Sequence, residues 1–158
     1  MAQYTCAQRG VSGAASTTAL NNGTLTMLTA GTIAYVKSIN WGGSDTSLVA
    51  MSSRWMRVNN TPVTPTAIAT PTLTSGAAGQ AANASLNTYA TTPTGAASPA
   101  GLFVQDWNSQ GGGGIFVLPI GGEWYLVGGA LGSSYNQIGC GNIVGASANT
   151  SFGWQWSE

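Results

Sequence analysis

Few residues in this chain could carry out chemistry. The sequence contains no His, a single lysine at Lys37 and two cysteines, Cys6 and Cys140. Without His, the Ser-His-Asp and Cys-His arrangements and the usual catalytic zinc sites cannot form. A Ser-Lys dyad would need Lys37 beside Ser38, but adjacent residues of a strand point to opposite faces. The two cysteines stand near opposite ends of the chain, which is not the spacing of a metal motif.

The acidic residues and the glycine-rich segments give no enzyme site either. The carboxylates are Asp45, Asp106, Glu123 and Glu158. Two of them could form a glycosidase pair, which needs a separation of roughly 5–9 Å, but Asp45 and Glu123 follow Gly-Gly turns where a solvated acid is ordinary. The run of glycines at 111–114 lacks the Lys-Ser/Thr that completes a phosphate-binding loop. The sequence therefore predicts a protein that is not an enzyme, with no catalytic residues, no cofactor and no metal.

Composition and charge exclude other classes of function. Charged residues make up 5% of the chain and the formal net charge is zero. Only Arg54 and Arg57 form a close basic pair, so we expect no nucleic-acid partner. The densest apolar run, residues 115–120, is far shorter than the roughly 20 residues of a membrane-spanning helix. No secretory signal is visible, and we expect folding in a cytoplasm with Cys6 and Cys140 as reduced, buried thiols.

The hydrophobic residues favour a β-fold with an aromatic core. Leu, Ile, Val and Phe supply only 29 of 158 residues, but there are six Trp, five Tyr and three Phe. Each aromatic side chain can bury about 150–250 Å². Tryptophans in such a chain are mostly core or interface residues, and the alternative is an exposed platform that stacks on sugars. Phe152, Trp154 and Trp156 alternate and are expected on one face of a closing strand.

Alternation and turn residues predict the elements that position these side chains. Residues 31–40 alternate, residues 41–46 contain turn formers, and residues 47–58 form a return strand, which together predict an antiparallel hairpin. Strand-length runs separated by Gly-rich turns continue from Leu102 to the end. We predict one all-β domain over 1–158, an antiparallel, jelly-roll-like β-sandwich. Residues 1–30 show no clear period and are expected to form an N-terminal extension.

Residues 61–101 differ from the rest of the chain. They contain five of the six prolines, many Thr and Ala, and no charged residue. Such a segment is either a mobile surface loop or an extended arm that packs on a neighbouring subunit, and a short helix around residues 80–89 could interrupt it. We favour the ordered arm. The candidate interface residues are Val63, Ile68, Leu73, Leu86, Tyr89 and Trp107.

The predicted strands resemble those of small β-sandwich virion proteins of tailed bacteriophages, of the capsid decoration or cement type. The resemblance lies in the strand Ala34–Asn40 with its Gly-Gly-Ser-Asp turn, in Ile115–Pro119 with its Gly-Gly-Glu turn, in Gln137–Cys140, and in the last strand ending at Glu158. It covers about 80 residues and rests on the order of the strands and on the kinds of residue they contain.

The resemblance implies a non-enzymatic structural protein on the capsid surface of a virion, made in the host cytoplasm. Its partners would be the major capsid protein and copies of itself. Half of the chain is Gly, Ala, Ser and Thr, and a nearly uncharged surface is normally covered by partners, because a net charge near zero promotes association. The alternatives are a glycan- or host-receptor-binding module and a tail or fibre structural subunit.

Overall fold

The protein consists of two antiparallel β-sheets in a computed structural model that describes residues 1–12, 23–60, 65–69, 71–76, 78–89, 94–95, 102–130, 135–144 and 149–158. No helix occurs in these ranges. The strands are β1 (Gln3–Ser12), β2 (Thr24–Met27), β3 (Ile33–Gly43), β4 (Ala50–Asn60), β5 (Pro65–Ala69), β6 (Thr72–Ser75), β7 (Ala84–Tyr89), β8 (Thr94–Gly95), β9 (Phe103–Asn108), β10 (Gly113–Val117), β11 (Trp124–Val127), β12 (Gln137–Val144) and β13 (Asn149–Ser157).

The two sheets face each other across one core. The first sheet has the order β10-β3-β13-β1-β6, and β11 also pairs with β3. The second has the order β5-β7-β2-β12-β4-β8, and β9 also pairs with β4. The largest buried cluster takes side chains from both sheets, including Trp55 of β4 and Trp154 of β13. The predicted all-β antiparallel sandwich is therefore confirmed.

The aromatic residues of the last strand form the centre of this core. Phe152, Trp154 and Trp156 are completely buried, as their alternation predicts. The ring of Trp156 stacks on that of Tyr4 in β1, with centroids 5.8 Å apart. Phe152 meets the edge of Trp55 across the sandwich, at 6.0 Å. Strand β13 lies between β3 and β1, so its side chains reach both halves of the first sheet.

The predicted hairpin of residues 31–58 is wrong in its pairing. Both strands exist as β3 and β4, but β3 belongs to the first sheet and β4 to the second. The connection between them crosses the sandwich, and Ser109 fixes it: its hydroxyl donates to Ser47 O and accepts from Val49 N. Alternation indicates which residues share a face, but it carries no information on which strand becomes the neighbour.

The described parts of residues 1–30 supply strands to both sheets, where the sequence predicts an N-terminal extension. β1 lies between β13 and β6, and β2 lies between β7 and β12. Tyr4 and Cys6 of β1 are buried, as are Leu25 and Met27 of β2. Both strands are short of β-branched apolar residues, which explains why no strand pattern is evident in this part of the sequence.

Described parts of residues 61–101 form strands of the same sandwich. β6 pairs with β1, β7 with β2, and β5 with β7. The possible helix around residues 80–89 is instead the strand β7, and its Leu86 is completely buried in the core. Contacts of this segment with a neighbouring subunit stay a prediction.

The side chain of Glu158 connects β7 to the end of β13. Its carboxylate accepts hydrogen bonds from Ala84 N at 2.8 Å, from Asn83 N at 2.8 Å and from Trp156 Nε1 at 2.8 Å. Burial raises the pKa of the Tyr4 phenol, and the negative charge of this carboxylate raises it further. The negative charge near the end of the chain is thus used to hold strands together.

Replacement of Leu86 by Ala tests whether β7 belongs to the core. We expect Leu86→Ala to lower the free energy of unfolding by about 2–5 kcal/mol, because it leaves a cavity between the sheets. Leu48→Ala is the control, since Leu48 is exposed and its loss should cost no more than about 0.5 kcal/mol. Chemical denaturation followed by fluorescence measures both. If both substitutions lowered the free energy of unfolding by the same small amount, β7 would not belong to the core.

Candidate interaction surface

Strands β10 and β11 together form one interrupted strand at the edge of the first sheet. β10 pairs with residues 38–42 of β3, and β11 pairs with residues 33–36 of the same strand. Both are antiparallel to β3, so they run in the same direction along its side. Residues 118–123 form the loop that interrupts them, opposite Lys37.

Hydrogen bonds and one ion pair hold this loop to β3. Leu118 N donates to Lys37 O at 2.8 Å, and Lys37 Nζ lies 2.7 Å from Glu123 Oε1. The other carboxylate oxygen of Glu123 accepts from Gly121 N at 2.7 Å. Gly121 has a φ of 82°, in the left-handed region that glycine enters without strain. The loop is therefore a fixed protrusion of the edge.

These contacts lower the pKa of the Glu123 carboxyl below its ordinary value. The largest cause is the hydrogen bond from Lys37, and main-chain N–H groups of Glu123 and Gly121 add to it against the opposing effect of desolvation. Lys37 Nζ also lies 5.8 Å from the centre of the Tyr35 ring. The charges of Lys37 and Glu123 therefore neutralise each other locally.

Apolar side chains cover the outer face of this edge. Ile115 is 70% exposed and Val117 is 69% exposed, and they lie opposite Asn40 and Ser38 of β3. Ile120, at the tip of the loop, is 99% exposed. We use the name edge surface for these residues and their exposed neighbours on β3 and β11, namely Ile33, Ile115, Val117, Ile120, Tyr125 and Val127.

An aromatic layer supports the edge surface from behind. Phe116 of β10 stacks on Phe103 of β9 with centroids 4.3 Å apart, and Phe103 in turn contacts Trp41 and Trp55. A Cβ atom at Gly114 would lie 2.8 Å from the Trp41 ring, so glycine is needed for the indole to pack there. The outward-facing residues of β10 therefore lie on a closely packed aromatic layer.

A cation–aromatic cluster lies at the β11 end of the edge surface. The rings of Tyr125 and Tyr135 are nearly parallel with centroids 6.0 Å apart. The guanidinium carbon of Arg57 lies 5.1 Å from the first ring and 5.3 Å from the second. Burial lowers the pKa of Arg57, and the two tyrosines oppose that shift. This cluster joins β4 of the second sheet to β11 of the first.

The structure describes the side chains of two of the six predicted interface residues, and both pack in or against the core. Leu86 is buried in the core, and Trp107 packs against the core with its Nε1 donating to Ser53 Oγ at 2.9 Å. Ile68, Leu73 and Tyr89 lie in β5, β6 and β7, but their side chains are outside the described part of the structure, and Val63 is wholly outside it.

Sequence reasoning missed Ile115, Val117 and Ile120 as surface residues. The apolar run at 115–120 is visible in the sequence, but it resembles a core strand. Its position at a sheet edge depends on pairing with β3, some 75 residues earlier in the chain. No local pattern reports such a long-range pairing.

The described residues do not form the other kinds of site considered from the sequence, namely a sugar platform, a metal site or a membrane-spanning helix. All six tryptophans are buried or packed against the core, so none forms an open platform for sugars. No group of three or more His, Cys, Asp or Glu side chains is placed to hold a metal ion among the residues described. In the same residues there is no helix of the length and hydropathy needed to cross a membrane.

Comparisons with known proteins return no match. No family model, no curated protein and no solved structure is significantly similar to this chain.

Replacement of Lys37 tests whether its ion pair with Glu123 holds the loop in place. Folding lowers the pKa of Glu123, so the ion pair stabilises the fold fully above the ordinary carboxyl value of 4.5 and ceases to do so as pH falls through the lowered value. Lys37→Met should therefore raise the Glu123 pKa towards 4.5. Carboxyl chemical shifts in an NMR titration measure it. Arg57→Met, which removes an equal charge elsewhere, should leave the Glu123 titration in place. An unchanged Glu123 pKa in Lys37→Met would contradict the assignment.

Proposed function

We propose that this chain is a non-enzymatic structural protein of a virion, a capsid decoration protein that binds the major capsid protein through the edge surface. The observation that carries the proposal is the pinned loop that presents Ile120 at a nearly uncharged edge. An aliphatic side chain in this position is costly in water and gains about 1.5–3 kcal/mol when a partner buries it completely.

The pinned loop and its neighbours have the properties of a protein-binding surface. Contiguous exposed apolar patches on soluble proteins mark interaction sites, and the centres of interfaces are depleted of charged residues. Among the described residues, the charged side chains at the loop are Lys37 and Glu123, and they neutralise each other. Because the ion pair and main-chain bonds already order the loop, little conformational entropy is lost when a partner binds.

The strand pairings support the jelly-roll connectivity implied by the resemblance to virion proteins. β1 pairs with β13, β2 with β12, β3 with β10 and β11, and β4 with β9. These pairs are nested in the chain, and β1, β2, β3 and β4 alternate between the two sheets. A long hairpin rolled into two sheets gives this order, with β5–β8 inserted between β4 and β9. A fold alone assigns no function, so the connectivity supports the proposal only indirectly.

Two alternatives use the same molecule differently. A glycan- or host-receptor-binding module would rely on Tyr125 and Tyr135, the exposed aromatic pair beside Arg57, because aromatic faces stack on sugars. A tail or fibre structural subunit would use the edge surface on another part of the virion. The decoration role is preferred because the loop with Ile120 offers an apolar contact and no polar groups arranged for a sugar.

Binding to virus particles tests the proposal. The purified chain is mixed with particles of the encoding virus that lack it, and co-sedimentation is measured. We expect saturable binding that Ile120→Asp weakens at least tenfold, because a carboxylate would be buried against an apolar partner. Leu48→Asp, at an exposed leucine in another loop, should bind like the parent.

The results separate the three candidates. Co-sedimentation with heads that depends on Ile120 supports the decoration role, whereas binding to isolated tails or fibres alone would replace it with the tail alternative. No binding to any particle, together with tyrosine-dependent binding on a glycan array, would replace it with the glycan alternative.

A further inference from the structure

The outer edge of β10 has main-chain groups that face away from its own sheet. Gly112 O accepts from Gly43 N at 2.9 Å, and Leu118 N donates to Lys37 O at 2.8 Å, so these even-numbered residues bond towards β3. Main-chain groups alternate in direction along an antiparallel strand. Those of Gly113, Ile115 and Val117 therefore point outward, and β10 has no second neighbour among the strands described.

This stretch lacks the devices that usually protect a sheet edge. Natural edge strands carry lysines, prolines or bulges that prevent pairing with another chain. The sequence Gly113-Gly-Ile-Phe-Val117 contains none of them, and its register against β3 is regular throughout. Protection begins only after β10, where Pro119 and the loop interrupt the edge. Within β10, the open segment is thus residues 113–117.

Charge favours a second copy of the chain as the occupant. A two-fold axis places a surface against itself, so an unpaired charge close to the axis would meet a like charge. The β10 part of the edge surface avoids this, because Lys37 and Glu123, the charged side chains described at the adjoining loop, are paired with each other 2.7 Å apart, and Arg57 lies at the β11 end. A partner recognised by its charge would require the opposite arrangement, with an unpaired charged side chain on the surface.

We propose that two copies of this chain associate through β10, edge to edge and antiparallel, about a two-fold axis at Ile115. Ile115 then lies opposite Ile115 of the second copy, and Gly113 lies opposite Val117 of the second copy. All the main-chain groups that exchange hydrogen bonds in this register are the outward-facing ones. The Val117 side chain is placed beside a glycine, and the two Ile115 side chains contact each other on the outer face.

The pairing would unite the first sheets of two copies into one continuous sheet. This pairing requires no capsid, so it goes beyond the proposed decoration role. A result against one of the two proposals leaves the other in place. The loop that carries Ile120 lies outside the paired segment and remains available to another protein.

Opposite charges at Ile115 test the two-fold arrangement. We expect the parent to form a dimer in sedimentation velocity and native mass spectrometry, and Ile115→Lys and Ile115→Glu each to raise its dissociation constant at least tenfold. An equal mixture of the two variants should recover the dimer, because Lys then lies opposite Glu. Leu48→Lys, at a leucine that is also 70% exposed, should dimerise like the parent.

A cross-link provides a test that does not depend on disruption. Directly opposite residues of this kind have Cα atoms about 5.5 Å apart, within the range of a disulfide. Ile115→Cys should therefore give a covalent dimer on mild oxidation, whereas Leu48→Cys should not. The native Cys6 and Cys140 are buried, and burial raises the pKa of Cys6, which keeps its thiol unreactive.

The following results would overturn the proposal. They are a parent chain that is monomeric at all concentrations, a dimer that Ile115→Lys leaves intact, and a mixture of the Lys and Glu variants that stays monomeric. Thermal unfolding of each variant, measured in parallel, shows whether it is folded, and the cross-linking result decides the matter if a charged variant is not.

Discussion

The aromatic face of β13 is the feature on which the rest of the structure depends. This chain has too few large aliphatic residues to fill the space between two sheets, so Phe152, Trp154 and Trp156 fill it from the middle of the first sheet. Their contacts reach Tyr4 on one side and Trp55 across the sandwich. Small residues can then occupy most other positions without leaving the core empty.

The few carboxylates of the chain also hold the structure together. Glu158 accepts hydrogen bonds from the start of β7, Glu123 pins the loop between β10 and β11, and Asp45 accepts from Thr46 N and Asn149 N. These carboxylates hold the main chain in place instead of forming a reactive site. Carboxylates engaged in this way add little free charge to the described surface.

The fold class could be predicted from the sequence, but the neighbours of each strand could not. Alternation identified β3, and it placed the three aromatic residues of β13 on one face. It also led to a wrong hairpin, because β3 and β4 face each other across the core instead of pairing. Leu86 was expected at an interface because its surroundings are rich in Thr and Ala, yet β7 carries it into the core.

The exposed apolar edge could not be predicted from the sequence for a related reason. Ile115 and Val117 have the side chains of a core strand, and only the long-range pairing of β10 with β3 leaves them at an edge. Ile120 is exposed because Lys37 and Glu123, distant in sequence, hold its loop outward. Interactions between residues far apart in the chain decide both outcomes, and composition and periodicity do not contain them.

If the edge surface is covered by protein in the working state, the outward amides of β10 must be protected there. Hydrogen–deuterium exchange of residues 113–117, compared between purified protein diluted until it is monomeric and intact virus particles, measures this directly. We expect the amides of Ile115 and Val117 to exchange freely in the dilute protein and at least about tenfold more slowly in the particle. Equal exchange rates in the two states would contradict the assignment of this edge as the contact surface.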